Sequence, residues 1–184
     1  PSTMTALAMG VSSNASGGNA VAVGVQAVAG SDNSIAFGNQ VSTGADQPYS
    51  VAVGSKAATT GAQAVALGSN VQANADNALA VGNNKTMALS KSSVAMGDGA
   101  RVNSGSDNSI ALGASAAIAR NTPNAMALGA NTSIAANAYG SVALGAGSTA
   151  NRANVLSIGT AGAERQIVNV AAGTTLTLSG AIAN

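Results

Sequence analysis

Apolar and small residues alternate in short blocks along nearly the whole chain. The unit is apolar, Ala, apolar, Gly. It first appears as Leu7-Ala8-Met9-Gly10 and returns as Val21-Ala22-Val23-Gly24, Ile35-Ala36-Phe37-Gly38, Val51-Ala52-Val53-Gly54, Val65-Ala66-Leu67-Gly68 and Leu79-Ala80-Val81-Gly82. It continues as Val94-Ala95-Met96-Gly97, Ile110-Ala111-Leu112-Gly113, Met126-Ala127-Leu128-Gly129, Val142-Ala143-Leu144-Gly145 and Leu156-Ser157-Ile158-Gly159. Only the last of the eleven copies replaces the Ala, and successive glycines stand 14 to 16 residues apart. Alternation with period two predicts a short strand in each copy, ended by a glycine that allows a sharp turn. The fixed spacing makes each copy one rung of a repeat protein.

In each rung the two apolar side chains share one face. The Ala shares the other with the preceding residue, which is Ala or Ser in ten copies. The expectation is that the bulky pair fills the interior of its own coil. The uniformly small face, Ala8, Ala22, Ala36, Ala52, Ala66, Ala80, Ala95, Ala111, Ala127 and Ala143, is then read as the contact with another chain. A weaker second strand is expected five residues after each Gly, with Ala29, Thr59, Val102 and Ile134 among its inward residues. The position before each of these is more polar and variable. It is placed toward water, and Gln72, Thr86 and Arg101 in it are the candidate ligand contacts. Asp, Asn, Gly and Pro fill the turns. Asn recurs two residues before the unit (Asn19, Asn33, Asn77, Asn108, Asn124, Asn154), as expected of a stacked Asn ladder.

Two strands per coil predict an all-β, two-sided parallel solenoid. Stacked at about 4.8 Å, the coils make a rod of roughly 50 Å. A lone two-stranded coil buries little surface per residue, which favours association with copies of itself.

Composition removes most chemistry. The 184 residues contain no Cys and no His, so disulfides, thiolates, the commonest general base and the commonest metal ligand are missing. Seven basic and six acidic residues leave a net charge of +1, without the basic excess that nucleic acid requires. The aspartates are spread over many coils and read as turn formers. No cofactor or metal is expected, and no catalytic constellation is found. An acyltransferase β-helix would have about eighteen residues per turn and a His, neither of which is present. An ice-binding face would need a Thr column, which neither outward column supplies. Lys56, Lys85 and Lys91 read as solubilising charge. Met9, Met87, Met96 and Met126 read as inward filler. Arg152, Glu164 and Arg165 gather three of the thirteen charges in one short stretch, which points to ion pairing between chains.

The repeat Asn-Ser/Ala-apolar-Ala-apolar-Gly, carried by residues 5–159, resembles the head repeat of YadA-like trimeric autotransporter adhesins. Asn154 to Thr174 is similar to the neck that follows such heads, most specifically in Glu164-Arg165-Gln166-Ile167 and Asn169-Val170-Ala171. The resemblance implies a left-handed parallel β-roll, a homotrimer ending in a neck, and display on a Gram-negative outer membrane. On that basis residues 1–150 are head repeats, 151–174 the neck, and 175–184 a connector or the start of a further segment. The last stretch lacks the heptads of a coiled-coil stalk. The implied role is attachment to host extracellular matrix, to host cells or to other bacteria, as a virulence factor. The alternative is a structural spacer that displays a distal binding domain. Membrane anchoring is expected only from regions outside this sequence.

Overall fold

The computed structural model describes residues 5–171. Its strands alternate between two parallel sheets as the chain coils. The described residues form an eleven-stranded first sheet that runs from Leu7–Met9 to Leu156–Ser157. They also form a ten-stranded second sheet from Asn14–Ala15 to Thr149–Ala150. Strands of the first sheet pair in the register set by the repeat: Leu7 with Val21, Ala8 with Ala22, Met9 with Val23. The same register holds along the rod to Val142 with Leu156. The expected two-sided parallel solenoid is therefore what forms. No described helix is long and apolar enough to cross a membrane.

The glycine that ends each unit stacks on the glycine of the next coil. A Cβ on Gly113 would lie 2.5 Å from the carbonyl carbon of Gly129, and one on Gly129 would lie 2.8 Å from that of Gly145. Coil spacing therefore excludes any side chain in this column. The backbone φ there, +133° at Gly113 and +128° at Gly129, excludes it a second time.

The faces of the first sheet are the reverse of the sequence expectation. Ala22, Ala36, Ala52, Ala66, Ala80, Ala95, Ala111, Ala127 and Ala143 are completely buried inside their own coil. Ala8, in the first coil, is exposed. The preceding Ala/Ser column, from Ala20 and Ser34 to Ser141, is buried with them. The bulky residues point outward: Met9 is 58% exposed, Phe37 54% and Leu112 44%. The physical reason is the thinness of the coil. Two sheets joined by turns this short leave room between them for Ala and Ser from one side and Ala, Thr, Val or Ile from the other. Val41, Val71, Val102, Ile118 and Ile134 are the largest apolar side chains fully inside. The methionines follow the same rule: Met9 and Met96 are exposed on the first sheet, and Met87 and Met126 are only half-buried.

The inward residues of the second sheet fall where the pattern places them, with one slip. Gln72 pairs with Met87 and Ala73 with Ala88, so the residue inserted in that turn moves the column by one. Thr86, expected on the outside, is fully buried, its one hydroxyl proton shared between the carbonyls of Asn83 (2.7 Å) and Gly97 (2.6 Å).

Asn19, Asn33, Asn77, Asn108, Asn124 and Asn154 all have φ of 56–57°. Their column turns the chain into the first sheet through a left-handed residue, a conformation Asn tolerates better than other side chains. Among the described residues, ladder contacts in this column are found only at the first coils, Thr5 to Asn19 (2.9 Å) and Asn19 to Asn33 (3.4 Å). Backbone conformation, more than stacking, accounts for the Asn.

Candidate functional site

Three features of the surface bear on function: the apolar face of the first sheet, the outer face of the second, and the C-terminal end of the coil.

The first is an apolar stripe. Leu7, Met9, Ile35, Phe37, Met96, Leu112 and Leu144 are exposed along one side of the rod, and Val21, Val51, Val65 and Leu79 extend it as half-buried residues. Exposed apolar surface of this extent marks an interface. Apart from Ala8, the alanines expected to meet another chain cannot do so, because their own coil encloses them.

The second sheet presents mostly small and polar side chains outward, with Val28 and Met87 as apolar exceptions. Its half-buried outward residues include Val28, Ser42, Ala58, Gln72, Met87, Arg101 and Ala117. Gln72 and Arg101 are thus on the accessible face, two coils apart, while Thr86 is not. Beside Arg101 lies a shallow hollow lined by Asn84, Lys85, Gly99, Ser115 and Ala117.

Three of the five aspartates are structural. Asp32 accepts a hydrogen bond from the Gly18 amide (2.7 Å), Asp76 from Ala62 (3.0 Å) and Asp107 from Lys91 (3.1 Å). Each carboxylate thereby ties its turn to the coil before it. Among the described residues no three of His, Cys, Asp or Glu come together to hold a metal.

At the C-terminal end the three charged residues do different things. Arg152 is exposed, and its carbonyl accepts from the Ser141 hydroxyl (2.8 Å). Glu164 accepts from the Gly162 amide (2.9 Å), and that bond, followed by one to its own amide, holds its carboxyl below the ordinary value of 4.5. Arg165 Nη1 donates to Ser148 Oγ (2.9 Å) and the Ile158 carbonyl (2.7 Å), and its Nη2 donates to the Ala146 carbonyl. The sequence marked these residues as charges. That Arg165 spends its donors on backbone oxygen was not legible from composition.

Comparison with known proteins agrees with this geometry. The family model described as the YadA head domain repeat (2 copies) matches residues 5–25, 15–40, 45–70, 88–116 and 136–161, together well over half of the chain. Among solved structures, the crystal structure of the collagen-binding domain of the Yersinia adhesin YadA superposes with a TM-score of 0.59 at 27% identity. That match covers 96% of this chain and 92% of the other. No curated protein matches the chain. The repeated unit, the two-sheet coil and these matches agree: the chain belongs to the YadA head-repeat family and is an adhesin head.

Proposed function

We propose that this chain works as a homotrimeric head on the surface of a Gram-negative bacterium and attaches the cell to host extracellular matrix. The family and the fold point to a non-enzymatic role, and the absence of His and Cys from the sequence is in keeping with it. The observation that carries the reading is the division of the surface. One face of each coil is an apolar stripe suited to burial against sister chains, and the opposite face is mostly small and polar. Three chains joined through the first sheet turn three copies of the second sheet outward. A rod bearing three repeated faces gains avidity without strong single contacts. Collagen is the natural ligand to test, because the YadA domain to which the chain is similar is described as collagen-binding. Gln72 and Arg101 are the proposed contacts. Residues 151–174 are proposed as the neck that leads from the head, although 172–174, and the connector expected over 175–184, lie outside the described residues.

Immobilised collagen, fibronectin and laminin, probed with the whole chain, test this reading. Saturable binding to collagen, weakened severalfold by Gln72→Ala with Arg101→Ala, is the expected result. A trimer that binds none of the three proteins overturns the adhesive role and favours the spacer.

A further inference from the structure

A solenoid built of parallel strands leaves its last coil with unpaired backbone groups. Along this rod the residue after the unit glycine offers its carbonyl to an amide of the next coil, except at Ser69, where Asn70 takes that part and accepts from Lys85 (3.1 Å). Val11 accepts from Gln26 (2.8 Å), Asp98 from Ser115 (2.8 Å), Ala114 from Asn131 (2.8 Å) and Ala130 from Gly147 (2.9 Å). Ala146 is the next in this series. Its carbonyl receives Arg165 Nη2 in place of an amide.

The glycine column ends in the same way. From Gly97 to Gly129 the space where a Cβ would stand is closed by the backbone of the following glycine. At Gly145 it is closed by the Arg165 guanidinium, with Cζ at 3.3 Å. The flat group lies where the next coil's peptide would lie. The second sheet is closed by the same segment. Thr149, which in a further coil would donate to a strand neighbour, donates instead to the Gly159 carbonyl (2.9 Å). A tight turn, with Thr160 and Ala163 bridged and the Ala163 amide on the Thr160 carbonyl (2.8 Å), brings the chain back to deliver Arg165.

We infer that Arg165 is the end cap of the coil, its guanidinium standing in for the peptide group of the coil that does not follow. Two features make Arg the residue for this place. It presents several donors in one plane, so it satisfies two carbonyls and a hydroxyl at once, and its flat face fits against a glycine. The role lies within one chain and differs from ion pairing between chains. It also accounts for the position of Arg165, nineteen residues after Ala146 and returned to it by the turn.

Backbone amide exchange on the full chain, with solution mass measured in parallel, tests the cap on Arg165→Ala, Arg165→Lys and Arg152→Ala. Losing three bonds worth about 1 kcal/mol each opens the end by on the order of a hundredfold. Arg165→Ala should therefore speed exchange at Thr149 and Ala163 by on the order of a hundredfold while the coils around Val65 stay protected. Arg165→Lys, with the charge but not the planar fork, should behave like the Ala variant. Arg152→Ala should behave like the parent. Unchanged exchange in Arg165→Ala would overturn the inference. So would full rescue by Lys, which would show that charge alone matters, and so would loss of the oligomer with the last coil still protected.

Discussion

Within a coil, hydroxyl groups complete what insertions interrupt. In the 16-residue coils the two extra residues break the direct amide-to-carbonyl ladder, and a buried Ser bridges the gap. Ser90 Oγ accepts the Ser106 amide (2.8 Å) and donates to the Asn103 carbonyl (2.8 Å). Ser106 Oγ repeats this with the Thr122 amide (3.1 Å) and the Ala119 carbonyl (2.7 Å). Ser109 Oγ does so with the Ala125 amide (3.0 Å) and the Thr122 carbonyl (3.0 Å). Small inward residues are thus used in two ways, Ala for close packing and Ser for closing the ladder. Ser50 and Thr59 are exceptions, since both hydroxyls are buried without a partner. In the preceding coil the equivalent pair, Thr43 and Ser34, are joined at 3.1 Å. A buried hydroxyl without a partner costs about 1–3 kcal/mol. Ser50→Ala should therefore raise the thermal midpoint, or at least not lower it, whereas Ser109→Ala should lower it. Calorimetry on the two variants checks this, and a larger loss at Ser50 than at Ser109 would contradict it.

At the scale of the element, each coil carries two corners that need left-handed residues. The first holds mostly Asn, but Tyr49 occupies it with φ 62° and Gln63 with φ 57°. The second holds Gln26, Gln40, Lys56 and Asn131, all at 53–57°. These corners explain why Asn recurs, a regularity visible in the sequence and there attributed to stacking. The turn at 159–164 closes the last coil and carries one ionised side chain on its backbone. Glu164 takes the Gly162 amide, and that bond lowers its pKa from 4.5. For a carboxylate lowered on folding, the stabilising contribution is complete above the unfolded value and is lost as pH falls through the folded one. The protection factor at Ala163, taken against the intrinsic exchange rate at the same pH, should therefore fall on acidification below pH 4.5, and Glu164→Ala should abolish that acid dependence. An identical acid response in the variant would show that another group is responsible.

The strand positions, coil length and repeat register were all legible in the sequence, because period two and a fixed glycine spacing leave few alternatives. The direction of the faces was not. Ala and Val alternate equally well in either orientation, and only the narrow space between the two sheets decides that Ala22 is inside and Val23 outside. Thr86 was misplaced for a local reason, since one residue inserted between Gly82 and Met87 shifts the strand by one position and exchanges its faces. The Arg165 cap joins residues 17 and 19 apart through side-chain geometry, for which no sequence pattern exists.

At the scale of the molecule, the first sheet turns its smallest residues into the chain's interior, and its larger apolar side chains are presented to the outside. A single chain would leave Phe37, Leu112 and Leu144 in water along one side of the rod. Burying one such side chain is worth about 1.5–3 kcal/mol, and the stripe repeats it coil after coil. The proposed association of copies through the first sheet would cover it and would leave the second sheet free for ligand. Solution mass tests this most directly, measured by light scattering on the parent chain and on the double variant Val53→Glu, Leu67→Glu, whose changes touch only the outward stripe. Three times the chain mass for the parent, with a folded single chain or a much weakened assembly for the variant, is the predicted result. A parent that stays a stable monomer, or a variant that still assembles as tightly, would contradict the assignment of that face.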